Sequence, residues 1–348
     1  MSISLDAPNP HFAVRPDWLA LRDEPILEPD LPIIDAHHHL WDRPEHRYFF
    51  LDCLKDLQSG HNIHETVYVE CGAMYRSDGP PELRSVGEVE FANGAAAMGA
   101  SGVYGNVRVC AAIVAYGDLL LGSRLAPVLE QYLNVSGRRV RGVRQISAWH
   151  SDPAARGSLA NPPPDLLNRP IFREGLSTLA RFGMSFDAYM YHTQLLELVP
   201  IAEHAQDVPV ILNHTGGAIG IGPYSGRRGE VFSRWRAGIV ALAKVPNVNI
   251  KLGGLGMRVF GFDFGERPIP PSSEELAAAW RPYIETSIEA FGPHRCMFES
   301  NFPVDKGTCS YAVLWNTFKR IAAGTSRHEK DSLFNGTARR VYRLMGQS

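Results

Sequence analysis

Short apolar runs, most of them rich in β-branched residues, alternate along this chain with longer amphipathic stretches, and the alternation recurs about eight times. The runs are Pro32–Asp35, Thr66–Glu70, Val107–Val114, Val140–Ile146, Met184–Ala188, Val208–Asn213, Val248–Lys251 and Cys296–Glu299. Their brevity and their lack of a polar face suit strands buried on both sides, as in a parallel sheet. Helix-like periodicity fills the intervals at 81–99, 121–134, 171–182, 193–206, 229–244, 273–291 and 308–322, with a last helix expected at 326–344. This pattern predicts an α/β fold, a closed (β/α)8 TIM barrel, with an open doubly wound sheet as second choice. No G-x-G-x-x-G follows the first strand, which counts against a dinucleotide-binding sheet.

The 348 residues suit one such domain. Residues 1–31, rich in proline and acidic side chains, read as an arm packed on a catalytic barrel formed by residues 32–348. Segments leaving the strands are often long, as in Ser147–Pro170, His214–Gly229 and Leu252–Ser272, whereas those entering strands are short. Long loops on one rim of a barrel mark its functional face.

Composition excludes several classes of function. A net charge of −2 without a basic stripe gives nucleic acid no electrostatic footing. No segment approaches the roughly 20 apolar residues that span a bilayer, and Met1 to Pro16 lacks the apolar centre of a secretory signal. The five cysteines are odd in number and form no C-x-x-C pair, which favours reduced, structural thiols and a cytoplasmic location.

The chemistry concentrates at strand ends. The first strand closes in Asp35-Ala-His-His-His-Leu-Trp-Asp42. Alternation puts Asp35, His37 and His39 on one face and His38 on the other. His37 and His39 are then placed to bind a metal together or to polarise a carbonyl. A solvated polar strand end is the bland alternative.

These stretches resemble the amidohydrolase-related lactonases, the group that includes 2-pyrone-4,6-dicarboxylate hydrolases and sugar-acid lactonases. The resemblance rests on Asp35 to Asp42, Gly142-Val-Arg-Gln145, Leu212-Asn-His-Thr-Gly216, Lys251-Leu-Gly-Gly-Leu255 and Met297-Phe-Glu-Ser-Asn-Phe-Pro-Val304. The first and last are specific, and the middle three are weak taken singly. The resemblance implies a distorted, metal-dependent-hydrolase-like barrel whose rim opens a lactone or related bond. It also implies that His37, His39 and His214 form the metal or carbonyl-polarising set, with Arg144 and His150 facing the substrate.

One departure matters. The family pattern carries an aspartate that activates water at the end of the eighth strand, and here that position is Asn301. An amide cannot serve as a general base near neutral pH. Glu299, two residues earlier on the same face, could replace it as base or ligand, or could be a buried glutamate paired inside the barrel. Glu70, closing the second strand, is another candidate for water activation, while Asp187 is as readily structural. The fifth strand has no histidine of its own, so a two-metal site is not supported.

Lys251 could bind a substrate carboxylate or an oxyanion, or snorkel to the rim. Tyr75, Arg76 and Arg258 could serve the same anionic end, although a surface role is simpler for each. His192 either begins a helix or touches substrate from the rim. Asp305 and Lys306 read as a rim ion pair. Trp41, Trp149 and Phe302 are expected to line the cup or to pack in the core.

The expected activity is hydrolysis of a lactone or related ester or amide bond in a small, carboxylated substrate. At most one divalent ion, Zn²⁺ or Mn²⁺, would assist, and metal-independent activity stays open. A metal-dependent aromatic-acid decarboxylase and a catalytically reduced small-acid-binding barrel are the alternatives, the latter because of Asn301. A homodimer is compatible with a barrel of this size.

Overall fold

A computed structural model describes residues 10–43 and 46–344. Eight parallel strands pair in chain order: β1 (Ile33–His38), β2 (Ile63–Val69), β3 (Arg108–Tyr116), β4 (Val140–Arg144), β5 (Ser185–Ala188), β6 (Val210–Leu212), β7 (Val248–Leu252) and β8 (Cys296–Phe298). Between and after them run α1 (Phe50–Leu57), α2 (Val86–Ala100), α3 (Ala126–Ser136), α4 (Pro170–Arg181), α5 (Leu195–His204), α6 (Arg228–Ala243), α7 (Ser273–Phe291) and α8 (Tyr311–Ile321). Ser272 starts α7 with a capping box to Glu275, and left-handed Gly137 ends α3. The sequence periodicity gave no sign of α1, nor of the two-stranded ribbon Trp41–Arg43 and His46–Tyr48 that precedes it.

Closure is irregular. β1 and β8 share no continuous ladder. Instead the chain just beyond β8 seals the gap, with Asn301 N donating to His37 O (2.8 Å) and His39 N to Phe302 O (2.8 Å). The register of β1 against β2 also slips between Asp35 and His38. That bulge corrects the expected alternation. Ile34 and Ala36 join the apolar filling of the barrel, while Asp35 turns outward to accept from Tyr311 Oη (3.0 Å) and Ser300 N (2.8 Å). His37 and His39 return to the barrel axis, and His38 faces outward against Thr66 Oγ1 (2.8 Å).

The barrel interior holds Ile34, Val67, Ala112, Ile211 and Met297, and its lower end is stoppered by Ala338, Val341 and Tyr342 from the C-terminal segment. The expected helix at 326–344 is broken there into Arg327–Asp331, a π-turn Ser332–Gly336 and Thr337–Val341. Widening the helix by one residue lets its last turn roll under the strands. Arg339 pairs with Glu65 (2.8 Å) and Arg340 donates to His294 O (2.5 Å), both near strand beginnings. The opposite end, where strands finish, is left to the long loops. Residues 10–31, the described part of the arm, lie along the β7–α7 loop and α8. Residues 1–9 of the expected arm lie outside the described residues.

Candidate active site

Side chains just past the strand ends surround a cavity open to the rim. His39, Glu70, Arg144, His214 and Asn301 line it, together with Tyr75, Trp41 and Ile146. The β4–α4 loop adds Gly157 to Ala160, so the long loops do build the cup over this rim. His37, Glu299 and Lys251 form a fully buried layer behind that wall.

Two of the three histidines are hydrogen-bonded through Nδ1, and the third stands at ion-pair distance from the same carboxylate. His39 Nδ1 lies 2.7 Å from Val69 O, and the carboxylate of Glu299 straddles the other two, with Oε2 2.8 Å from His37 Nδ1 and Oε1 2.8 Å from His214 Nδ1. His214 N also donates to Glu299 Oε1 (2.9 Å). These acceptors assign the ring protons of His39 and His214 to Nδ1 and turn their Nε2 lone pairs outward, an arrangement typical of metal-ligating imidazoles, whereas His37 Nδ1 also has the Lys251 ammonium at 3.4 Å. Burial, reinforced by Lys251 and Arg144, holds His37 well below the usual histidine range. Burial does the same to His39, and it lowers His214 against the pull of Glu299. All three are neutral acceptors near pH 7.

His37 Nε2 and His39 Nε2 lie 3.2 Å apart. Two lone pairs facing at that distance repel unless a cation, a proton or an N–H donor stands beside them. His37, His214 and Glu299 also offer ligand atoms within 4.8 Å of one another. The donor set therefore fits one divalent ion. Arg144 already brings fixed positive charge to the same place: Nη1 is 3.3 Å from His37 Nε2, while Nε is tied to Glu70 Oε1 (2.7 Å) and Nη2 donates to Glu70 O.

Local glycines make this layer buildable. A Cβ at Gly253 would come 2.5 Å from Glu299 Cγ, and one at Gly254 would come 2.6 Å from His214 Cβ. Gly254 is also left-handed, at φ 69°. The Gly-Gly pair after β7 thus clears the space that Glu299 and His214 occupy.

Several residues stand elsewhere than the sequence placed them. Lys251 is not at the rim: it is fully buried, paired with Asp187 (2.7 Å) and 3.4 Å from His37 Nδ1. His150 bonds Tyr224 Oη (3.1 Å) outside the cavity, and His192 is packed inside the rim, accepting from Ile219 N (3.3 Å). Arg76 and Arg258, by contrast, take the simpler surface role, pairing with Glu90 and Glu266. Asp305 and Lys306 are not partners. Lys306 pairs with Asp56 (2.6 Å), while buried Asp305 accepts from Asn301 Nδ2 (2.8 Å) and Gly256 N (3.0 Å). Burial raises the Asp305 carboxyl to about 8.

Two lining residues lie outside the sequence motifs. Tyr189 lies one residue beyond β5, packs edge-on against His214 at 4.8 Å, and its buried hydroxyl has no partner among the described residues. Arg43 stacks on Trp41 at 3.8 Å and donates to Cys71 O (3.3 Å), with no carboxylate partner among the described residues. Position just past a strand end was the available signal for Tyr189, while Asp187 two residues earlier was the more conspicuous group.

The family model for amidohydrolases matches residues 34–344. An uncharacterised protein from Sinorhizobium fredii, y4mH, is 33% identical over 329 residues, which is 90% of this chain and 99% of that protein. An L-fucono-1,5-lactonase from Burkholderia multivorans is 26% identical over 235 residues, 67% of this chain and 72% of the lactonase. Among solved structures, an amidohydrolase from Burkholderia multivorans with bound zinc is 22% identical, with a TM-score of 0.68 over 90% of this chain and 99% of its own.

Proposed function

The chain belongs to the amidohydrolase family and is a hydrolase, and from that premise we propose that it opens the lactone ring of a small, carboxylated substrate. The observation that carries this reading is the Glu299 carboxylate, which accepts from His214 N and Nδ1 through Oε1 and brings Oε2 to 2.8 Å from His37 Nδ1 beneath the cavity. The relationship to a lactonase supports the bond type, and Arg43 offers a cation for the substrate carboxylate.

His214 acts as general base through Nε2, with Glu299 fixing its tautomer and stabilising the imidazolium that forms. Water attacks the carbonyl carbon as its proton passes to His214. Arg144 and the Tyr189 hydroxyl meet the oxyanion that develops. The ring C–O bond then breaks, and the departing alkoxide recovers the proton from His214, giving a hydroxy acid. Glu70 holds Arg144 in place through Oε1 and carries no proton in this scheme. His37, His214 and Glu299 are the residues that would hold a divalent ion, which would supply Lewis-acid polarisation of the same carbonyl when bound.

The test is a screen of five- and six-membered sugar-acid lactones alongside aromatic carboxylates, read by proton release and by CO₂. Ring opening of lactones without CO₂ is expected. Release of CO₂ from an aromatic acid, with every lactone untouched, would overturn the proposal in favour of a decarboxylase.

A further inference from the structure

The N-terminal arm reaches the cavity. His11 lines it together with His39 and His214, and His11 also lines an adjoining hollow bounded by Phe12, Val14, His46 and Pro303. Trp41, Arg43 and Val304 border both spaces, so the two run side by side with the His11 ring at their junction.

The arm is fixed in that position by its own slot. A Cβ at Gly265 would come 2.6 Å from Phe12 Cγ, and one at Gly307 would come 2.5 Å from Phe12 O, so Phe12 seats only because both positions are glycine. Arg15 then donates to Gly265 O and Trp18 Nε1 to Arg267 O (2.9 Å). Burial, with Arg43 and His214 nearby, lowers His11 to about 3. Its ring is neutral at working pH and contributes shape, not charge.

We infer that His11 is a specificity-determining residue, the wall between the two hollows that limits the length of the substituent carried by the substrate ring. This rests on the reading of the cavity as a lactone pocket. With the ring removed, the space continues past Arg43 towards His46 and Pro303. A longer chain bearing hydroxyl or carboxylate groups would then fit.

The experiment compares wild type with His11→Ala over lactones whose ring substituent grows from hydrogen to a four-carbon polyol chain. The ratio of kcat/KM for the longest over the shortest should rise by about tenfold or more, since single methylene misfits are worth roughly 10–200-fold. Gly265→Ala, which blocks the slot that seats Phe12 and so displaces the arm without altering a residue of either hollow, should shift the ratio in the same direction. Unchanged ratios in both variants would overturn the inference. If wild type opens no lactone, the proposed function fails separately, and the crystal structure of the His11→Ala variant decides the wall. One continuous hollow supports it, and a cavity still closed by another side chain refutes it.

Discussion

Asn301 sits where a water-activating aspartate is expected, and the structure shows how the surrounding carboxylates are arranged around it. Asp305, four residues on, is buried behind the amide and bonded to it. Glu299 lies beneath the histidines, and in the proposed mechanism it acts through His214 rather than on water directly. Glu299→Gln keeps the volume but removes the charge that stabilises the His214 imidazolium. It should lower kcat by roughly 10²–10⁴-fold while leaving the fold intact, as read by turnover beside circular dichroism. Retained activity would remove Glu299 from the chemistry. Asp305 makes a separate prediction about pH. Folded, it keeps its proton up to about 8, against 3.8 for the ordinary group, so between those values the folded chain binds the extra proton. Stability therefore falls as pH rises through that window and levels off above it. Asp305→Asn should flatten the decline of Tm between about pH 5 and about pH 8, and parallel curves for the two proteins would contradict this.

Among the elements, β1 shows where sequence reading stops. Its composition announces a buried strand ending in histidines, and His37 and His39 do face the axis. The bulge that turns Asp35 outward is set by pairing with β2 and by Tyr311 from α8, which no local pattern records. For the same reason Lys251 was legible as a strand-end cation but not as the buried partner of Asp187. An ion pair between β5 and β7 joins residues 64 positions apart. Glu70, Arg144 and His214 were readable because a barrel sends strand ends to one rim. The loop residues His150 and His192 were not, because loop conformation does not follow from periodicity. The Gly-Gly turn after β7 was visible as a motif, and its purpose is now steric. Gly254→Ala should displace His214 and cut kcat about a hundredfold, in line with the cost of a misplacement near 1 Å. Unchanged turnover would show that His214 tolerates the shift.

At the scale of the whole molecule, both ends of the chain serve the barrel. The arm packs beside the open rim, and the C-terminal segment fills the closed end, where Tyr342 Oη reaches Asp187 at 3.0 Å. Tyr342→Phe leaves the buried carboxylate one donor short. It should cost about 1–3 kcal/mol, seen as a lower urea midpoint, whereas an unchanged midpoint would mean that the plug is held by its apolar contacts alone. The layered order, from plug to apolar filling to the Asp187–Lys251 pair to the histidines to the cavity, places a neutral, hydrogen-bonded imidazole set under fixed positive charge. The central claim is that this set directs water onto a lactone carbonyl, and hydrolysis in ¹⁸O-labelled water tests it most directly. The account predicts one labelled oxygen in the carboxylate of the ring-opened product and no CO₂. Label in the liberated hydroxyl, or CO₂ released from an aromatic acid while lactones stay intact, would contradict it.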